Sequence, residues 1–127
     1  MRTALILAAG AGSRMGPIGV YLPKLMLPIY GRPLLALHLE LVERAGAERV
    51  VVLVSPKFRR LVEDFLKGGY GGPLDWQVLT QSRPTGTGAA LLLAAPEVGP
   101  GPLLLLLGDE YYSGGKFFDG VAKFWER

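Results

Sequence analysis

The chain has 127 residues, half of them apolar, and carries 14 Lys or Arg against 11 Asp or Glu for a formal net charge of +3, which is material for one domain around one core. No basic run exceeds Arg59-Arg60 and there is no cysteine, so nucleic acid is not the expected partner, a disulfide framework and a thiolate metal site are excluded, and a reducing cytoplasm fits. Apolar runs such as 103–107 fall far short of the roughly 20 residues of a membrane span, and Met1-Arg2-Thr3 leads directly into an apolar stretch without the pattern of a signal peptide.

Residues 3–7 are short, apolar and followed by glycine, the pattern of a strand buried on both faces in a parallel sheet. From Pro33 to Ala45 the apolar residues Leu34, Leu37, Leu41 and Ala45 recur at helical spacing, and Gly46 supplies a C-terminal stop. The β-branched run 49–54 predicts a second strand. Ser55-Pro56 then offers an N-cap with proline at N1 to a helix whose apolar face is Phe58, Leu61, Val62, Phe65 and Leu66. The glycine-rich segment 68–73 reads as a loop, 74–79 as a third strand, 86–95 as an Ala- and Leu-rich helix, and 103–107 as an unbroken apolar strand. A last amphipathic stretch places Phe117, Val121 and Phe124 on one face. The expected order is βαβαβαβα, an α/β domain over residues 1–127 with an open, largely parallel sheet and helices on both faces.

In such sheets ligands collect beyond the C-terminal ends of the strands, and the polar clusters of this chain follow strands. Gly10-Ala11-Gly12-Ser13-Arg14-Met15-Gly16 follows the first strand and precedes Pro23-Lys24. Glycines let backbone N–H groups approach phosphate oxygens, and Arg14 and Lys24 add the charge that a polyphosphate requires, so the loop reads as a nucleoside triphosphate site. A dinucleotide-binding fingerprint does not fit, because the third glycine comes one position late and no acidic residue closes the second strand. A Walker loop is excluded because no Gly-Lys-Ser/Thr follows the glycines. Gln81 follows the third strand, and Gly108-Asp109 follows the fourth. His38 is a lone histidine on the first helix and reads as structural, and Trp76, Tyr111, Tyr112 and Trp125 are assigned no functional role.

The succession Leu7-Ala8-Ala9-Gly10-Ala11-Gly12-Ser13-Arg14-Met15, Pro17, Pro23-Lys24, Leu27-Pro28-Ile29 and Gly31-Arg32-Pro33-Leu34-Leu35 closely resembles the signature of the sugar-phosphate nucleotidyltransferases. The resemblance implies their Rossmann-like fold and their reaction, in which an NTP and a sugar 1-phosphate give a nucleotide sugar and pyrophosphate. By the same resemblance Arg14 and Lys24 carry catalysis, while Leu7, Ala8, Gly10, Ala11, Gly12 and Ser13 hold the nucleotide. Gln81 and the segment Pro84-Thr85-Gly86-Thr87-Gly88 resemble the base-recognition loop, with Gly86 and Thr87 close to the nucleotide. A primary amide at Gln81 can pair with the N3–H and carbonyl edge of uracil or thymine, which favours dTTP or UTP. Asp109 resembles the family's Mg²⁺ ligand, a role that suits a hard carboxylate, and Glu110 reads as a supporting or surface residue. The sequence departs from the family at Leu25-Met26, where relatives often carry proline and leucine after the lysine. The resemblance covers nearly all of this chain but about half of such an enzyme, so self-association or a complementary C-terminal segment is an expected partner.

Overall fold

A computed structural model describes residues 2–9, 23–83, 86–108, 116–123 and 125, with the side chain of Phe117 left aside. Strands β1 (Thr3–Ala8), β4 (Arg49–Val54), β5 (Asp75–Thr80) and β6 (Leu103–Leu107) form one parallel sheet in the order β5-β4-β1-β6. Helices α1 (Leu34–Arg44), α2 (Arg59–Gly68), α3 (Thr87–Val98) and α4 (Lys116–Val121) flank it. The chain steps outward from β1 through β4 to β5, then returns to place β6 on the other side of β1. The strand order therefore reverses between β1 and β6, the switch point at which open α/β sheets leave a crevice.

The period-two alternation of the central strands sorts the core into two layers. Ala4, Ile6, Val50, Val52, Val54, Val78 and Leu106 belong to the layer shared with Leu35, Leu39 and Val42 of α1, Val62 and Leu66 of α2 and Phe118 of α4. Leu5, Val51 and Leu53 face the other way, against Ala90 and Ala94 of α3. Both layers press on β1 and β4, which explains why their sequences are apolar after the first residue of each, Thr3 and Arg49.

Several expectations shift by a residue or a turn. β5 starts at Asp75 instead of Leu74, and α3 runs on through Pro96 to Val98 before Gly99 stops it at φ 73°. Ser55-Pro56 opens a 3-10 turn over Pro56–Phe58, with α2 starting only at Arg59, and the Ser55 side chain makes no capping hydrogen bond. Leu61, expected on the apolar face, is exposed, and on α4 Phe118 is buried beside the expected Val121. The expected contribution of Phe124 lies outside the described residues, as does the side chain of Phe117.

The simple alternation of strands and helices is interrupted before α1 by a 3-10 turn at Lys24–Met26 and a small hairpin of β2 (Pro28–Ile29) and β3 (Arg32–Pro33). Its two central residues, Tyr30 and Gly31, have φ of 51° and 79°, the doubly positive backbone that a two-residue hairpin turn requires. Gly46, at φ 88°, ends α1 as its position predicts. Arg44 grips Asp119 through two hydrogen bonds of 3.0 and 2.7 Å, and Trp125 donates its indole N–H to the Ala45 carbonyl at 2.6 Å, so the end of the described chain is tied to the end of α1.

Candidate functional site

All four strands of the main sheet run the same way, so their exits share one end of the molecule. Two hydrogen bonds hold these exits together in pairs. The Gly108 N–H donates to the Leu7 carbonyl at 2.7 Å, joining the ends of β6 and β1, and the Gln81 N–H donates to the Val54 carbonyl at 3.0 Å, joining the ends of β5 and β4. Leu7, Ala8 and Gln81 thus lie along one rim, as the sequence predicts. Gly108 is the residue that sequence reasoning undervalued. A Cβ built on it would meet the Ala8 Cβ and the Leu7 carbonyl oxygen at 2.8 Å, closer than real Cβ contacts come, so only glycine lets β6 close on β1 here. The Gly-Asp pair after a leucine run was the available signal, and its glycine carries as much geometric meaning as its aspartate.

Gly86 precedes the first residue of α3 with φ 105° and ψ 170°, a backbone region open in practice to glycine alone. Among the described residues beyond its chain neighbours, no atom lies within 4 Å of a Cβ placed there, so the positive φ of the turn is what calls for glycine. Thr87 follows as the first residue of α3, exposed at the same end of the sheet as Gln81.

Lys24 opens the 3-10 turn at the entrance to α1. The turn is anchored from below by Leu25, which is buried in the core, and closed by hydrogen bonds from Met26 N–H to the Pro23 carbonyl at 2.9 Å and from Leu27 N–H to the Lys24 carbonyl at 3.0 Å. The Leu34 N–H donates to the Leu27 carbonyl at 3.0 Å, which fixes the turn to the first residue of α1. A buried leucine next to an exposed lysine is a rigid mount for a cation, and here the departure Leu25 keeps that anchor apolar.

Gly10, Ala11, Gly12, Ser13, Arg14, Thr85, Asp109 and Glu110 lie outside the described residues. What the fold places is their points of attachment. Residue 9, buried at the end of β1, leads into the glycine loop, and Gly108 leads into Asp109, with the two exits joined across the switch point. Among the described residues no group of three His, Cys, Asp or Glu could hold a metal ion. A hydrated Mg²⁺ needs only one or two protein ligands, so a carboxylate at position 109 fits that cation and a closed protein cage does not. His38 is fully buried on α1 and Trp76 packs on the core, so both stand as structural residues.

Among the described residues the perturbed titrating groups sit away from this rim. Burial and the hydrogen bond to Glu43 push Tyr70 from 10.0 up to about 12, and Arg44 holds the Asp119 carboxyl below the usual carboxylate range. Both pairs fasten loops and helices near the C-terminal end of α1, a structural use of charge.

Three comparisons bear on this arrangement. The family described as MobA-like NTP transferase domain matches residues 4–125. The glucose-1-phosphate thymidylyltransferase of Xanthomonas campestris pv. campestris is 31% identical over 122 residues, which are 96% of this chain and 41% of that protein. The enzyme of the same name from Mycolicibacterium smegmatis is 32% identical over 114 residues, covering 87% of this chain and 38% of its own length. A crystal structure of UDP-glucose pyrophosphorylase complexed with UDP-glucose superposes with a TM-score of 0.85 at 23% identity, over the whole of this chain and 54% of the other. The chain therefore spans about two fifths of the curated relatives it matches and about half of that structure. Among the described residues no helix is long and apolar enough to cross a membrane.

Proposed function

Because the chain belongs to the family of MobA-like NTP transferase domains, we propose that it takes part in nucleotidyl transfer, joining an NTP and a sugar 1-phosphate to give a nucleotide sugar and pyrophosphate. The observation that carries the reading is the junction of β1 and β6, where the exit into the glycine loop and the exit into Asp109 are hydrogen-bonded side by side at the switch point. In this reading the loop amides of Gly10, Ala11, Gly12 and Ser13 bind the triphosphate, with Leu7 and Ala8 forming the floor beneath it. Arg14 neutralises charge that builds on the leaving pyrophosphate, and Lys24, on its anchored turn, draws the sugar phosphate toward the α-phosphorus. Mg²⁺, held by Asp109, would supply further charge neutralisation on the phosphates. The sugar phosphate is already ionised, so no general base is required. The Gln81 amide selects the pyrimidine edge of dTTP or UTP, with Gly86 and Thr87 beside the nucleotide. Residues 1–127 act as one nucleotide-binding unit in the cytoplasm.

The share of the relatives that is matched favours a second reading, a nucleotide-binding module that needs a complementary C-terminal segment or a partner subunit before it turns over. Orientation of the second substrate can account for about 7 to 11 kcal/mol of a barrier, so binding without transfer is physically coherent. Pyrophosphate release from dTTP or UTP with glucose 1-phosphate, measured beside calorimetric nucleotide binding, separates the two. Under the first reading, Arg14→Ala lowers turnover at least about a hundredfold, equivalent to about 3 to 4 kcal/mol, with thermal unfolding unchanged. Turnover within a few-fold of wild type would remove Arg14 from the mechanism, and binding without turnover would select the second reading.

A further inference from the structure

We propose that Lys57, Arg60 and Arg83 form a cationic rim that captures small polyanions and steers them along the C-terminal end of the sheet toward the β1–β6 crevice. The inference rests on the nucleotidyl-transfer reading for its ligand, and on the charge distribution for its geometry.

The three residues are separated in sequence and are brought together by topology. Lys57 lies on the 3-10 turn after β4, Arg60 is the second residue of α2, and Arg83 lies just after β5. β4 and β5 are adjacent strands, and the bond from Gln81 N–H to the Val54 carbonyl keeps their exits together. All three side chains are exposed. Lys57 holds its ammonium 5.4 Å from the centroid of the Phe58 ring, which keeps the charge at the surface. Two other cations near this end are already matched, Arg59 by Glu63 at 2.5 Å and Arg32 by Glu40 at 2.6 Å. Lys57, Arg60 and Arg83, together with Lys24, pair with no carboxylate among the described residues.

The opposite end of the sheet uses more of its charge in ion pairs. There two of the arginines are held in ion pairs, Arg44 with Asp119 and Arg49 with Glu97. Lys24, Lys57, Arg60 and Arg83 thus place four cations without an ion pair among the described residues where the strands exit. The N-termini of α2 and α3 lie at that same end and add their partial positive charge. Such a field reaches about 8 to 10 Å at ordinary ionic strength and raises association rates of oppositely charged ligands about 10- to 1000-fold.

The test is stopped-flow association of a fluorescent UTP analogue, with calorimetric titration of inorganic tripolyphosphate as a second probe. K57E/R60E is compared with K67E/K123E, which changes the net charge equally on residues away from the rim. Circular dichroism establishes that both variants are folded. At low salt K57E/R60E should lose at least about tenfold in association rate, converge with wild type at high salt, and keep its dissociation rate. K67E/K123E should stay within about twofold of wild type. Equal losses in both variants, an unchanged association rate in K57E/R60E, or a change confined to dissociation would overturn the rim. Salt-dependent uptake of tripolyphosphate that K57E/R60E weakens, with no uptake of the UTP analogue, would uphold the rim and reject the nucleotide reading. Uptake of neither probe would reject both.

Discussion

The two edges of the main sheet are built on different plans. β5, at one edge, alternates polar and apolar residues from Asp75 to Val78, and its Gln77 accepts a hydrogen bond from Arg49, whose guanidinium also reaches the Glu97 carbonyl at the end of α3. α2 and α3 overhang this edge and leave a groove of about 530 Å³ bordered by Arg59, Glu63, Leu93 and Pro96. β6, at the other edge, is five leucines in succession, with Leu106 buried but Leu105 and Leu107 38% and 41% exposed. The physical distinction is in what covers the face toward α3. That helix lies mainly over β1 and β4, so the inward residues of those strands are enclosed, while on β6 Leu103 packs against this layer and Leu105 and Leu107 stay partly exposed. One edge is finished by polar side chains, and the other carries a sequence suited to burial on both faces, the kind of edge that invites pairing with another chain.

The sharpest way to break the comparison is at the seam where β6 joins the sheet. Gly108→Val should cost about 3 kcal/mol, the upper end of overpacking, because the new Cβ meets a backbone carbonyl as well as Ala8. Chemical denaturation measures it. A loss below about 0.5 kcal/mol would show that β6 is held loosely enough to move aside.

On the β5 side the corresponding pin is Tyr70. Its hydroxyl donates to Glu43 and accepts from the Leu74 N–H at 3.3 Å, just ahead of β5. Tyr70→Phe should cost about 1 to 2 kcal/mol. The tyrosine pKa is raised in the fold, from 10.0 to about 12, so the neutral form is the stabilising one. Its contribution is fully present below about pH 10 and is lost as pH rises through about 12. Thermal melts between pH 8 and 12 should therefore show a steeper alkaline fall for wild type than for Tyr70→Phe. Parallel curves would mean that the hydroxyl does not secure this segment.

The smallest effect on stability belongs to the leucines of β6. Leu105→Lys should change unfolding by no more than about 0.5 kcal/mol, since the side chain is already well exposed, while lowering self-association in sedimentation velocity. A large drop in Tm would place Leu105 in the core and close the difference between the edges.

Much of this architecture was legible in residue order. Strand boundaries at Arg49–Val54 and Leu103–Leu107 follow from apolar runs, and the stop at Gly46 from its freedom at positive φ. The hairpin before α1 was missed because two-residue strands carry no period, although Tyr30-Gly31 held the turn signal. On α4 the expected Val121 packs on the core and Phe118 joins it, while the Phe117 side chain and Phe124 lie outside what the structure describes.

Local chemistry, which depends on neighbours in the chain, determined the element types, the glycine loop with its cations and the identity of the candidate residues. Strand order is a long-range property, and nothing within any one segment states it. Only the tertiary structure decided that β6 returns beside β1, that Gly108 must be glycine because Ala8 and the Leu7 carbonyl press against it, and that Lys57, Arg60 and Arg83 share a rim. The same return puts β6 at the edge of the sheet, where Leu105 is exposed although its own sequence is that of a buried strand.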